Sequence, residues 1–413
     1  MKENMTKLEK YWILYDVGNS AFVLLVSTIL PVYFNGLAGQ GGVSGTDALA
    51  YWGYAASLST ILVAFAGPVL GRVADTKGYK KKIFAVFMAA GVLGCAALAL
   101  PLSWSAFLAV FVAARIGYSG SLIFYDAMLA DVTKPARMDQ ISSQGYAWGY
   151  IGSCIPFLIS LVFVLGHKVI GMPAGAAMPA ALILNAVWWF GSSLPLLRNY
   201  QQIHGVPRQD HVFRNSFAIL LHVLKDVRGN RKVFLFLLAF FFYIDGVYTI
   251  IEMATAYGSA IGLDTAGLLL ALLVTQIVAF PCALIFGKLA SRYKNTTLIK
   301  VCIASYFCIA LFAVQLDRQW EFWLLAVWVG MFQGGIQALS RSYFAAIIPP
   351  EKSGEFFGIF DICGKGASFI GTTLVGVMTQ VTHDPGAGVG MLAVLFLAGF
   401  AVFLRAEKAD PAS

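Results

Sequence analysis

An all-α integral membrane fold of twelve spanning helices, arranged as two pseudo-symmetric six-helix bundles, is predicted from three observations. First, 59% of the 413 residues are hydrophobic and 12% charged, and the mean hydropathy is +0.75, far more apolar than a soluble globular chain. Second, apolar stretches of roughly 20 residues recur along the whole length, enough for a helix rising about 1.5 Å per residue to cross about 30 Å of hydrocarbon. Third, the longest polar segment falls in the middle, and a loop before it is echoed by a loop after it.

The spans are expected near 12–35, 49–70, 82–101, 104–130, 140–166 and 176–197, then 231–256, 265–287, 297–316, 319–346, 355–381 and 387–405. The first begins with Tyr-Trp-Ile and is too long for a cleavable leader, so it is expected to act as its own insertion signal. Spans two and three flank the basic loop GRVADTKGYKKK, residues 71–82. A cytoplasmic connector, 199–230, separates an N-terminal bundle, 1–198, from a C-terminal bundle, 231–413. Spans eight and nine flank a second polar loop, GKLASRYKNTTL, which begins at Gly287. No length is left for a soluble domain.

The net charge of +8 could suggest nucleic acid, but its placement gives another meaning. With the N-terminus inside, Lys2, Lys7, Lys10, Arg72, Lys77, Lys80, Lys81, Lys82, Lys134 and Arg137 all fall in cytoplasmic segments. So do Arg198, Arg208, Arg214, Lys225, Arg228, Arg231 and Lys232 of the connector, and Lys288, Arg292, Lys294, Lys300, Lys352, Arg405 and Lys408 beyond it. Only Lys168 and Arg318 fall outside. This is the positive-inside pattern, with an even span count and both termini in the cytoplasm. A cell (inner) membrane location follows, and no nucleic-acid partner is expected. The six cysteines lie within predicted spans without metal spacing and read as packing residues.

The two loops align as Gly71 with Gly287, Arg72 with Lys288 and Ala74 with Ala290, which argues for a duplicated half. Parallel repeats of this kind are a mark of transporters that rock around a midplane site. Gly71 and Gly78 suit tight backbone turns. Asp75 can sit against the positive N-terminal end of another helix, a contact worth about 0.3 to 2 kcal/mol. In the repeat Ser291 takes the aspartate's place, so the corresponding contact there is expected to be weakened or absent.

These residues resemble the signature loop of the major facilitator superfamily, G-x-x-x-D-x-x-G-R-K in outline, through Gly71, Asp75, Gly78 and Lys80 to Lys82; Tyr79 displaces the usual arginine. The resemblance implies a conformational latch at Gly71, Arg72, Asp75 and Gly78. YDVGNSAF in span one, QALSRSYFAAIIP in span ten and EFFGIF in span eleven resemble the vacuole effluxer-like (autophagy-related permease) branch. That branch implies a permease with amino acids as the class of cargo and export as one direction.

A charge at bilayer depth costs at least about 2.5 to 3.5 kcal/mol, so each marks a candidate site. Asp16, Ser20 and Ser27 form a polar stripe on span one. Arg115 and Asp126 share a face of span four, three turns apart, with Ser119 between them. Asp245 and Glu252 share a face of span seven, and Gln333, Gln337, Ser340 and Arg341 one side of span ten. Depth assigns Asp16, Asp126 and Arg341 to an inner gate, and Arg115, Asp245, Glu252, Gln333 and Gln337 to a substrate or proton site. Asp361 and Lys365 can pair at i,i+4 on span eleven, as a self-neutralising pair or as part of the gate. A purely structural interhelix pair is the plain alternative for Asp16 with Arg341. Glycine pairs four apart, Gly67 and Gly71, Gly145 and Gly149, Gly330 and Gly334, permit close helix approach in lipid.

There is no GxxxxGK[ST] loop, HExxH or GxSxG, so neither ATP hydrolysis nor hydrolytic catalysis is indicated. No cofactor or metal is expected. His167, His204, His211, His222 and His383 fall in connectors as solvated residues. The expectation is an alternating-access secondary transporter, acting as a monomer among membrane lipids, for a small organic solute. An amino acid or similar zwitterion fits, with Arg115 meeting a carboxylate and Asp245 an ammonium group or a proton. A uniporter stays open. The rivals are a lipid or other amphiphile transporter on the same fold, and an intramembrane enzyme using Asp16 with Asp126.

Overall fold

The structure, a computed structural model, describes residues 4–207 and 225–409. Arg208, Arg214, His211 and His222 of the connector lie outside the described residues. The predicted spans correspond, in order, to α1a (Lys7–Ser27) with α1b (Ile29–Gln40), α2 (Gly45–Asp75), α3 (Lys80–Ala97), α4 (Trp104–Ala127), α5 (Met138–Gly166) and α6 (Ala174–Asn199). The second half supplies α7 (Arg231–Ala260), α8 (Thr265–Leu289), α9 (Asn295–Ala313), α10 (Gln319–Ile347), α11 (Ser353–Thr382) and α12a (Pro385–Gly390) with α12b (Leu392–Lys408).

Ten of the described helices are long and apolar enough to cross a membrane, and α1a with α1b makes eleven. The predicted third span is present as α3, but Lys80, Lys81 and Lys82 occupy its first turn and make it less apolar than the sequence count assumed. The first span is not one continuous helix. It bends by 43° at Thr28, because Pro31 has no N–H to give the carbonyl of Ser27. The Ser27 hydroxyl donates back to Val23, and the Thr28 hydroxyl to Leu24.

Helix starts are set by side chains in the sequence. Thr6 and Glu9 form a reciprocal capping box on α1a, and Ser44, Ser103, Asn230 and Asp264 each accept a backbone N–H at the start of α2, α4, α7 and α8. The interior is closed by aromatic contacts, among them Trp12 stacked on Tyr125 at 4.4 Å and Phe240 on Phe360 at 4.1 Å. Such pairs contribute about 0.5 to 1.5 kcal/mol beyond the area they bury. All six cysteines are free.

The duplication read in the loops is repeated in the packing. In the first bundle α1 packs on α5 and α6, α3 on α4 and α6, and α2 on α4; in the second α7 packs on α11 and α12, α9 on α10 and α12, and α8 on α10. The bundles meet along α2 with α11 and, in the related place, α5 with α8. Glycines allow this approach: a Cβ on Gly71 would lie 2.3 Å from the Gly354 carbonyl oxygen, and one on Gly287 would lie 2.9 Å from the Ser143 Cβ. Both contacts are at the end that carries Lys80 to Lys82, Lys288, Arg292 and Lys294, called here the basic end.

Candidate functional site

At the basic end the α2–α3 turn docks on the start of α11. Gly78 takes φ +83°, a left-handed conformation that favours glycine, and the turn leaves Asp75 facing the other bundle. The Asp75 carboxylate accepts the N–H of Gly354 at 2.7 Å and of Glu355 at 2.9 Å. Those are unsatisfied donors of a helix N-terminus, where negative charge is favoured. Arg72 acts electrostatically on Glu355 from the same side.

Lys80, grouped in the sequence with lysines that mark topology, is fully buried here. Its Nζ donates to Ser353 Oγ at 2.7 Å and lies 3.7 Å from Asp75 and 3.6 Å from Asp131. Asp131 also accepts the Tyr200 hydroxyl, and the backbone N–H and ring Nδ1 of His204 at 2.8 and 2.9 Å. Burial first, then the Asp131 charge, holds the Tyr200 phenol well above its ordinary range. Gln202 accepts the N–H of Gly78 at 2.9 Å and donates to the Ala74 carbonyl at 3.1 Å. The first residues of the connector are thus fastened to the turn, and His204 is not the solvated histidine the sequence suggests. No spacing in the sequence distinguished Lys80 from Lys81, or linked Asp131 to His204.

One layer deeper, α10 supplies Arg341, 2% exposed. Its Nη1 donates to Asp126 on α4 at 2.9 Å and lies 3.6 Å from Asp16 on α1a. Its Nε and Nη2 donate to the hydroxyl and carbonyl of Ser142 on α5, each at 2.9 Å. The guanidinium also lies over the rings of Tyr146 and Trp12, at 4.3 and 4.7 Å from their centroids. The three residues placed in the inner gate by depth and face therefore meet around one cation that joins the bundles. Gly145 permits it, since a Cβ there would lie 2.7 Å from Asp16 Oδ2. Asp361 and Lys365 form an ion pair within α11, and Lys365 Nζ also reaches the Ser119 carbonyl of α4 at 3.5 Å.

Toward mid-depth the polar groups are less fully paired. Arg115 on α4 and Glu252 on α7 act on each other's charge, yet neither makes an ion pair within 4.0 Å among the described residues. Asp245 does not enter that couple. It is 1% exposed and accepts the Gly371 N–H of α11 at 2.9 Å and the Thr249 hydroxyl at 3.4 Å, while its Oδ2 has no hydrogen-bond partner. Gln333 is buried beside Tyr150 of α5 with its Oε1 unpaired, and Gln337 is half-buried one turn along. The arrangement closes the basic end with charge and hydrogen bonds, and leaves Arg115 of one bundle and the exposed Glu252 of the other without an ion pair farther from that end.

A family model described as "Vacuole effluxer Atg22 like" matches residues 6–410. The uncharacterized MFS-type transporter YxiO of Bacillus subtilis (strain 168) is 42% identical over 407 residues, covering 97% of this chain and 95% of that protein. Autophagy-related protein 22 of Saccharomyces cerevisiae (strain ATCC 204508 / S288c) is 27% identical over 291 residues, 61% of this chain and 54% of that protein, so the match spans about half of the yeast relative. Among solved structures, the human organic anion transporter MFSD10 superposes with a TM-score of 0.72 at 16% identity, covering 96% of this chain and 99% of the other. The proton:xylose symporter XylE gives 0.70 at 12% identity, covering 97% and 94%. At these identities the structural likeness shows the fold.

Proposed function

The chain belongs to the Atg22-like vacuole effluxer family of the major facilitator superfamily and is a multi-pass membrane transporter; we propose that it carries an amino acid or similar zwitterion by alternating access. The observation that supports this cargo is the separated couple of Arg115 and Glu252, one from each bundle. A carboxylate at Arg115 and an ammonium group at Glu252 would satisfy both charges at once, which neither side chain does for the other. The ammonium partner thus moves from Asp245, the sequence-based choice, to Glu252.

Asp245 is proposed as the proton carrier. Its buried, unpartnered Oδ2 could take a proton while Oδ1 keeps the Gly371 bond. The positive-inside bias supports a cytoplasmic basic end with both termini on that side, and on that reading the closed end is the cytoplasmic gate. Arg341, Asp16, Asp126, Asp361 and Lys365 form that gate, and Gly71, Arg72, Asp75 and Gly78 its latch. Membership of an effluxer family supports export as the direction.

The test is thermal stabilisation of the purified protein by a panel of amino acids, sugars, organic anions and lipids, since a ligand that binds the folded state raises its apparent stability. Stabilisation by a zwitterion, lost in both Arg115→Ala and Glu252→Gln, is expected. Stabilisation only by lipids or uncharged solutes, equal in both variants, would overturn the cargo assignment and favour an amphiphile carrier.

A further inference from the structure

The contact of α5 with α8 is the pseudo-symmetric partner of the contact of α2 with α11, but its loop lacks the aspartate, because Ser291 stands where Asp75 does. The Ser291 hydroxyl only turns back to the Lys288 carbonyl, at 2.7 Å. The missing acid comes from the opposite bundle. Asp139, in the first turn of α5, accepts the side-chain amide of Asn295, the first residue of α9, and the hydroxyl of Ser342 on α10. Asn295 also donates to the Leu339 carbonyl at 3.3 Å, which holds its amide in place.

The positions correspond across the repeat. Lys80, the first residue of α3, bonds Ser353, the first residue of α11. Asn295, the first residue of α9, bonds Asp139, the second residue of α5. We propose that Asp139, Asn295 and Ser342 form a second conformational latch of reversed polarity, in which the carboxylate is carried by the bundle opposite to the loop. Asp75 and Asp139 both belong to the first bundle, so both locks hold their negative charge on that bundle and their donors on the other. When the basic end opens, Asp139 exchanges Asn295 and Ser342 for water, as Asp75 exchanges the N–H groups of α11. Asp139 is a positioning residue, acting on which end is open and not on the cargo. This inference rests on the alternating-access reading.

The experiment reads the rate at which a membrane-impermeant maleimide, applied at the basic end in oriented vesicles, labels Ser143→Cys. Ser143 is buried in the α5–α8 contact, and its hydroxyl has no hydrogen-bond partner, so cysteine replaces it with little change. Labelling is counted above that of the parent with Ser143 intact. Asp139→Ala and Asn295→Ala should each speed labelling about tenfold, the population change expected when hydrogen bonds to a carboxylate are lost. The two together should add little, since they share one bond. Asp139→Asn keeps the shape and an accepting oxygen, and should fall between; it also serves if Asp139→Ala fails to fold. Unchanged labelling in the Asp139 variants, with faster labelling in Asp75→Asn, would overturn the second latch and leave the carrier reading intact. Unchanged labelling in all variants, Asp75→Asn included, would overturn the alternating-access reading on which the latch depends.

Discussion

Arg341 on α10 donates to Asp126 on α4 at 2.9 Å with only 2% of its own surface exposed, so a buried cation of one bundle is bonded to a carboxylate of the other near the basic end. Removing it leaves the buried Asp16 and the partly buried Asp126 without that counter-charge. Breaking a buried pair in this way costs about 3 to 5 kcal/mol. Arg341→Ala should therefore lower the melting temperature and expose the basic end to thiol labelling. Arg341→Lys should restore little, because an ammonium cannot reproduce the fork to Ser142 and Asp126 or the stacking on Tyr146. Wild-type labelling in Arg341→Ala would contradict a gate at this residue.

Lys80→Met tests the cation that the sequence did not single out. It removes the cation that lies near both Asp75 and Asp131, and should destabilise the closed basic end by more than Lys81→Met, whose half-buried side chain makes a 3.5 Å contact with the Arg198 carbonyl. Comparing the two variants by thermal denaturation checks it. Equal melting temperatures would mean that Lys80 serves only topology.

Gly71→Ala places a methyl group 2.3 Å from the Gly354 carbonyl oxygen. Overpacking of this kind costs about 1 to 3 kcal/mol, and here the cost falls on the conformation closed at the basic end. Faster labelling of Ser143→Cys from the basic end is expected, together with slower or lost transport. Gly53→Ala, where a Cβ would meet nothing within 4 Å, should leave both unchanged and serves as the control.

How far the sequence could be read depended on what each residue's signal contained. The spans were legible because a bilayer demands length and apolarity together, and the bundle arrangement because the duplication survives in the loops. The docking of Asp75 on a helix N-terminus could be anticipated from an acid between two glycines in a short turn. Periodicity placed Asp16, Asp126 and Arg341 on facing sides at one depth, and the structure brings them together. Periodicity gives a face and a depth, but not which neighbour fills that face, so it did not distinguish Glu252 from Asp245 as the acid near Arg115. Three consecutive lysines look alike in sequence, although only the first turns inward. Nothing in the sequence sets Asp139 and Asn295 apart, since their contact depends on how two distant helix ends meet. The bend at Thr28 was signalled by Pro31, within a run whose apolarity masked it.

The most direct test of the account is counterflow of labelled solutes into proteoliposomes, with the wild-type protein beside Arg115→Ala and Glu252→Gln. The account predicts counterflow of an amino acid or similar zwitterion that is lost in both variants while each variant still melts cooperatively. Counterflow of such a solute at wild-type rates in both variants, or transfer of lipid alone, would contradict it.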